Sequence, residues 1–106
     1  MIAIYDRKGF DVLVTVPALT LRGAQLAGAA LGNANMVEFD LRGADLSGAD
    51  LSHSDLRLAN LSGANLKGAN LTGADVTGAD LTGADVSDTV LQPSNLAAVI
   101  AQLIDD

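Results

Sequence analysis

Ala59-Asn60-Leu61-Ser62-Gly63-Ala64-Asn65-Leu66-Lys67-Gly68-Ala69-Asn70-Leu71-Thr72-Gly73 states one five-residue unit three times. The unit is a small residue, Asp or Asn, Leu, a small or polar residue, and Gly. It extends in both directions from this stretch. Its centre is Leu21, Leu26, Leu31, Met36, Leu41, Leu46, Leu51, Leu56, Leu61, Leu66, Leu71, Val76, Leu81, Val86 and Leu91 in turn, fifteen units. A period of five fits neither standard element. On an α-helix successive Leu positions would lie about 140° apart and spread over every side. On a straight strand an odd period flips Leu from face to face. The pattern works only if the chain bends once per unit. A short extended triplet then sends the small residue and Leu inward and the Asp or Asn outward. The next two residues turn the corner, where Gly tolerates special backbone angles.

These residues resemble the pentapeptide-repeat family. Runs such as Ala44-Asp45-Leu46-Ser47-Gly48 and Ala64-Asn65-Leu66-Lys67-Gly68 match its consensus, and the resemblance covers residues 20–92. It implies an all-β fold, a right-handed quadrilateral β-helix with four units to the coil and so about four coils. The coils would stack through backbone hydrogen bonds about 4.8 Å apart.

A solenoid cannot leave its end coils open, because they expose apolar side chains and unpaired backbone. Both flanks read as caps on one domain of 106 residues: 1–18 an N-terminal β cap, 19–92 the repeats, 93–106 a helical cap. Ile2–Tyr5 and Val12–Val16 are rich in β-branched and aromatic residues around a polar Asp6-Arg7-Lys8-Gly9 turn, which reads as a hairpin. Pro17 ends its second strand. At the other end Leu96, Val99, Ile100, Leu103 and Ile104 recur at helical spacing after Ser94 or Asn95, a capping residue. That stripe either closes the last coil or pairs two chains. The gyrase-protection branch of the family pairs solenoids at this end, so the resemblance implies a possible homodimer.

Composition narrows the function. Thirteen acids against six bases give a formal net charge of −7, which disfavours direct nucleic-acid binding. With no cysteine, disulfides and thiolate metal sites are excluded. No apolar run is long enough for a membrane span and no cleavable leader precedes the repeats, so a cytoplasmic location is expected. His53 is the one histidine and lacks a nucleophile or ligand set around it. There is no dinucleotide or phosphate-loop motif. No catalytic residue, metal or cofactor is expected.

The Asp and Asn positions are expected to bond the backbone of their own bends. Folding the chain by twenty puts Asp40, Asn60 and Asp80 in one column and Asp45, Asn65 and Asp85 in the next, so amides separate carboxylates. Asp55 and Asp75 break that alternation. A calcium site from Asp40, Asp45, Asp50 and Asp55 is disfavoured, because groups on four sides do not converge.

The departures from the consensus cluster. Asn33, Glu38, His53 and Leu58 replace Gly, Val37 replaces a polar residue, and Phe39 and Ser54 replace Ala. In coils of twenty, Asn33 falls under His53, Val37 under Arg57 and Glu38 under Leu58. All six are expected on two adjoining sides near one corner, and two readings compete: local packing with Glu38 and Arg57 as an exposed pair, or a contact site with Val37 and Leu58 as apolar anchors. They form the candidate partner contact. Leu96, Val99, Ile100, Leu103 and Ile104 form the candidate cap or dimer contact. The function expected is a non-enzymatic interaction module offering a rigid acidic surface to a protein partner. The alternative is a dimeric, DNA-mimicking binder of a topoisomerase such as gyrase, which the family contains.

Overall fold

The computed structural model describes residues 1–91. The helix expected beyond residue 93, with its candidate contact residues, lies outside them. The repeats wind as a solenoid with a turn of twenty residues. Parallel bridges join Gln25 to Asp45, Ala30 to Asp50, Asn35 to Asp55 and Asp40 to Asn60, and each column continues at the same interval. Four five-residue sides therefore make one turn. Each side is held by three backbone bonds to the turn above it. In the Leu41 side, Leu41 N–H donates to Asn60 C=O (2.8 Å), Asn60 N–H donates to Phe39 C=O (2.8 Å), and Gly43 N–H donates to Ser62 C=O (3.0 Å).

The bend is a hydrogen-bonded turn inside each unit. Ala64 N–H, for example, donates to Leu61 C=O at 3.0 Å, with Ser62 and Gly63 between. The second of the two central residues has positive φ at every corner, as a type II turn requires. Glycine fills most of these corners. Asn33, Glu38, His53, Leu58 and Asp88 fill the rest at φ 58–61°. The first four are the Gly replacements noted in the sequence, and Asp88 is a further one.

The expected inward set is the core. Leu31, Leu41, Leu46, Leu51, Leu56 and Leu66 are fully buried, with Met36 among them. Alanine fills the second inward position, and Ser54 there turns its hydroxyl to Leu51 C=O (2.7 Å) rather than leaving it unpaired. Each buried Leu contributes about 1.5–3 kcal/mol. Phe39 is half-buried and packs against this core.

The N-terminal hairpin forms as read. β1 (Ile2–Tyr5) pairs antiparallel with β2 (Val12–Val16), with a bulge between Ile4 and Tyr5. Asp6 closes the turn by accepting Phe10 N–H (2.9 Å). Ile4 and Val16 join the core. β1 also adds to the solenoid: Asn35 N–H donates to Tyr5 C=O (2.8 Å), and Asp6 bridges Ala34 antiparallel. One side of the first turn is thereby paired below as well as above. The rows β2, β1, Asn35, Asp55 and Asp75 form one continuous face, here called the Asn35 face.

Candidate functional site: the Asn35 face

The irregular residues do not share one corner. Asn33 and His53 occupy the corner that precedes the Asn35 face, whereas Val37, Glu38, Arg57 and Leu58 occupy the corner that follows it. Asn33 and Glu38 are one unit apart, so a full side separates them. The six residues thus border a single face, and it is the face that the hairpin extends.

Two of the replacements reach over the next turn. A Cβ on Gly73 would run into the His53 imidazole, and one on Gly78 would stand 2.7 Å from a Leu58 methyl. The columns Asn33–His53–Gly73 and Glu38–Leu58–Gly78 therefore end in glycines that make room for the side chain below. Leu58 remains 58% exposed. Val37 is half-buried, and Asn33, Glu38, His53 and Arg57 are exposed.

The expected pair between Glu38 and Arg57 does not form. Arg57 grips Asp55 with two bonds of 2.8 Å, Nε to Oδ1 and Nη2 to Oδ2. The backbone N–H of Arg57 already donates to Asp55 Oδ1 (3.2 Å), which sets the guanidinium beside that carboxylate. Glu38 meets Arg57 only through backbone, its N–H donating to the Arg57 carbonyl (2.9 Å), and has no ion pair among the described residues. Asp55 is only 6% exposed. The Arg57 bonds hold its carboxyl below the usual range despite that burial, and the charges of Arg57 and Arg7 add to the effect. Above it Asp75, held down by the Thr77 hydroxyl, feels Asp55 as a like charge. This is the column in which no amide separates the carboxylates, and Arg57 supplies a cation beside its lower one.

Elsewhere the acidic positions behave as bend residues. From Asn35 to Asp85 each outward Asp or Asn accepts the backbone N–H two residues on, as Asn60 does from Ser62 and Asp80 from Thr82. Where Ser or Thr follows, its hydroxyl often donates to the same oxygen, as Ser47 does to Asp45 at 2.7 Å. Among the described residues no three acids, histidines or cysteines are grouped to hold a metal. No described helix is long and apolar enough to cross a membrane.

Several residues of the face escaped the sequence reading. Arg7 N–H donates to Asn33 C=O (2.7 Å) and its Nη1 to His53 C=O (3.2 Å), which pins the hairpin turn against the corner. Tyr5 stands in the row below Asn35 and is 45% exposed; Val12, its β2 partner, is 51% exposed. On another side Asp40 is clamped by Arg42 (2.8 Å, two bonds) and by Arg22 (2.7 Å), so its carboxyl stays far below the usual range. The signal for that clamp was present, since Arg22 and Arg42 are one turn apart. The signal for Arg7 was only that a basic pair heads an acidic chain.

The geometry is that of a family the sequence resembles. A model of that family, "Pentapeptide repeats", matches residues 21–57 and 59–96 in eight copies. Among solved structures, the chain is similar to Rfr23, a pentapeptide repeat protein from the cyanobacterium Cyanothece 51142. Identity is 38% over 65% of this chain and 50% of that one, with a TM-score of 0.47. It is also similar to HetL from the cyanobacterium Nostoc sp. strain PCC 7120, described as involved in heterocyst differentiation regulation. There identity is 43% over 69% of this chain and 33% of that one, with a TM-score of 0.46. A pentapeptide repeat protein of the Arabidopsis thaliana thylakoid lumen shares 26% identity over 77% of this chain and 74% of that one, at a TM-score of 0.30. The chain thus spans half of the first relative and a third of the second. No curated protein matches it.

Proposed function

This chain belongs to the pentapeptide-repeat family, and from that premise we propose that it is a non-enzymatic interaction module. It presents the Asn35 face to a protein partner, without contact to nucleic acid or membrane. The observation that carries the reading is the gathering of the irregular residues. The scaffold accounts for Leu, Ala, Asp or Asn, and Gly at every unit. The residues it does not require line both borders of one face, and four of them hold left-handed backbone that costs about 1–2 kcal/mol each. The face joins apolar area at Tyr5, Val12, Val37 and Leu58 to the half-neutralised Asp55–Arg57–Asp75 column, the mixture of apolar anchor and polar rim that contact sites use. The right-handed winding, a length of about four coils and a C-terminal helical cap belong to the same proposal.

The DNA-mimicking alternative draws less support. Asp40 and Asp55 are masked by arginine, and amides interrupt most acidic columns. The test is affinity capture from lysate with wild type beside Tyr5→Ser/Leu58→Ser and a control, Thr82→Ser, on a different side. Loss of the same captured protein from the first variant alone is expected. Equal recovery from all three would remove the face from consideration.

A further inference from the structure

The hairpin closes the first turn unevenly. Asn35 N–H finds Tyr5 C=O below it, but no described row pairs beneath the Gln25 side. Higher in that column the lower edge is paired at every turn. Asp45 N–H donates to Ala24 C=O (2.9 Å), Asp45 C=O accepts from Leu26 N–H (2.8 Å), and Ser47 C=O accepts from Gly28 N–H (2.8 Å). The same three groups one turn down are Gln25 N–H, Gln25 C=O and Ala27 C=O, and these meet no protein partner among the described residues. The core is thinner here too. Leu21, Ala24 and Leu26 keep 5–8% of their surface, whereas Ala34 and Met36 keep none. A cleft of about 470 Å³ opens at this end, lined by Val14 and Val16 of β2, Pro17, Ala24 and Leu26. We propose that this cleft binds an extended peptide of a partner protein, which adds as one further parallel row beneath Gln25.

The rows above define what fits. Each carries Ala and then Leu or Val two residues on, both inward, with Asp or Asn outward between them: Ala44-Asp45-Leu46, Ala64-Asn65-Leu66 and Ala84-Asp85-Val86. Continued one row down, the small residue falls beneath Ala24 and the larger one beneath Leu26, where the cleft supplies apolar lining. Backbone bonds set the register of such an added strand, and the side chain that enters the cleft sets its selectivity. Gln25 is uncharged, so the outward residue of the peptide meets no like charge beside it. The chain's net charge of −7 favours an amide or a base over an acid in the peptide. The ligand class is therefore an extended segment of the Ala-Asn-Leu-Lys type. In a four-sided turn the Gln25 side lies opposite the Asn35 face, so this is a second surface and not a part of the first. A single side limits the contact area, so the binding is weak and quickly reversible.

Titration of the isotope-labelled full chain with a blocked synthetic peptide tests this by NMR. The peptide copies Gly63-Ala64-Asn65-Leu66-Lys67-Gly68. The amides of Gln25 and Gly28 are expected to shift and saturate with a Kd below about 1 mM, while the amide of Thr82, on another side, stays in place. The peptide with Leu66→Ser loses its anchor and is expected to bind roughly tenfold more weakly or worse. Gln25→Pro in the protein removes one donor, and an edge N–H that faces water tolerates proline. It is expected to keep the melting temperature and to weaken binding read at Gly28. If it impairs folding, the peptide substitution decides alone, since it leaves the protein untouched. Absence of a saturable shift at Gln25 overturns the proposal. So does equal binding of the Ser peptide, or a shift spread evenly over all four sides. Partner capture was read through Tyr5 and Leu58, so that reading and this one fail separately.

Discussion

Glu38 holds a backbone conformation that its side chain makes costly, and no ion pair among the described residues rewards the side chain. Its φ of 61° places Cβ against the following carbonyl, at about 1–2 kcal/mol for an L-residue. Glycine removes that cost. It also adds back the greater freedom of the unfolded chain, about 0.4–1 kcal/mol. Glu38→Gly should therefore stabilise the protein by about 0.5–1 kcal/mol, or roughly 2–8 °C in Tm for a domain of this size. Glu38→Ala supplies the reference, since it removes the same side chain and keeps the strained Cβ. Urea unfolding of the three proteins, followed by circular dichroism with a common m-value, isolates the backbone contribution. Glycine no more stable than alanine would refute the assignment of a strained corner at this position, and with it the argument that these replacements are held against a cost.

Gly78→Ala should lose about 1–2 kcal/mol, because it adds a Cβ at φ 72° that also meets Leu58. The double variant with Leu58→Ala should recover only the overlap, and thermal melts of the four proteins in the cycle measure the split. Leu61, 1% exposed, should not tolerate Asp: an unpaired charge in the core should abolish cooperative melting. Stability should be level from about pH 5 to 8 and should fall below about pH 4, the ordinary carboxylate value. The reason is that Asp40, Asp45 and Asp55 are all depressed in the folded state, so the unfolded chain takes up protons first as pH drops. Asp40→Asn, which keeps the bend acceptor and loses the arginine clamp, should make the acid limb shallower in urea titrations. An unchanged limb would show that the clamp adds nothing.

The inward residues, the bends and the hairpin strands were all legible in the sequence because each depends on local chemistry. A small residue two before Leu, a glycine two after it, and β-branched runs around a polar turn suffice. The interval of twenty was not in the residues themselves. It came from the family resemblance, and the Asp–Asn alternation then agreed with it. The site was half legible. Asn33, Glu38, His53 and Leu58 stood out as broken glycines, but placing them on two adjoining sides near one corner missed that Asn33 and Glu38 stand at successive corners. The partner of Arg57 was misread because an outward pair one turn apart looks as good on paper as Asp55 two residues away. Only the bond from the Arg57 N–H to Asp55 decides it. Tyr5 and Arg7 were out of reach, since which side of the first turn receives β1 is a tertiary choice with no local signature.

The twenty-residue interval also constrains how this chain changes length. Excising residues 61–80 leaves every remaining side in its former column, so outward acids, corners and core Leu keep their alignment. Excising residues 61–65 rotates everything above by a quarter turn, and Asp75 then stands over Asp50 where Asn70 stood. Losing a single residue turns the following Leu positions out to water. The molecule therefore admits insertions and deletions in whole turns, half-tolerates them in units of five, and rejects them one at a time. Its evolutionary step is set by its circumference.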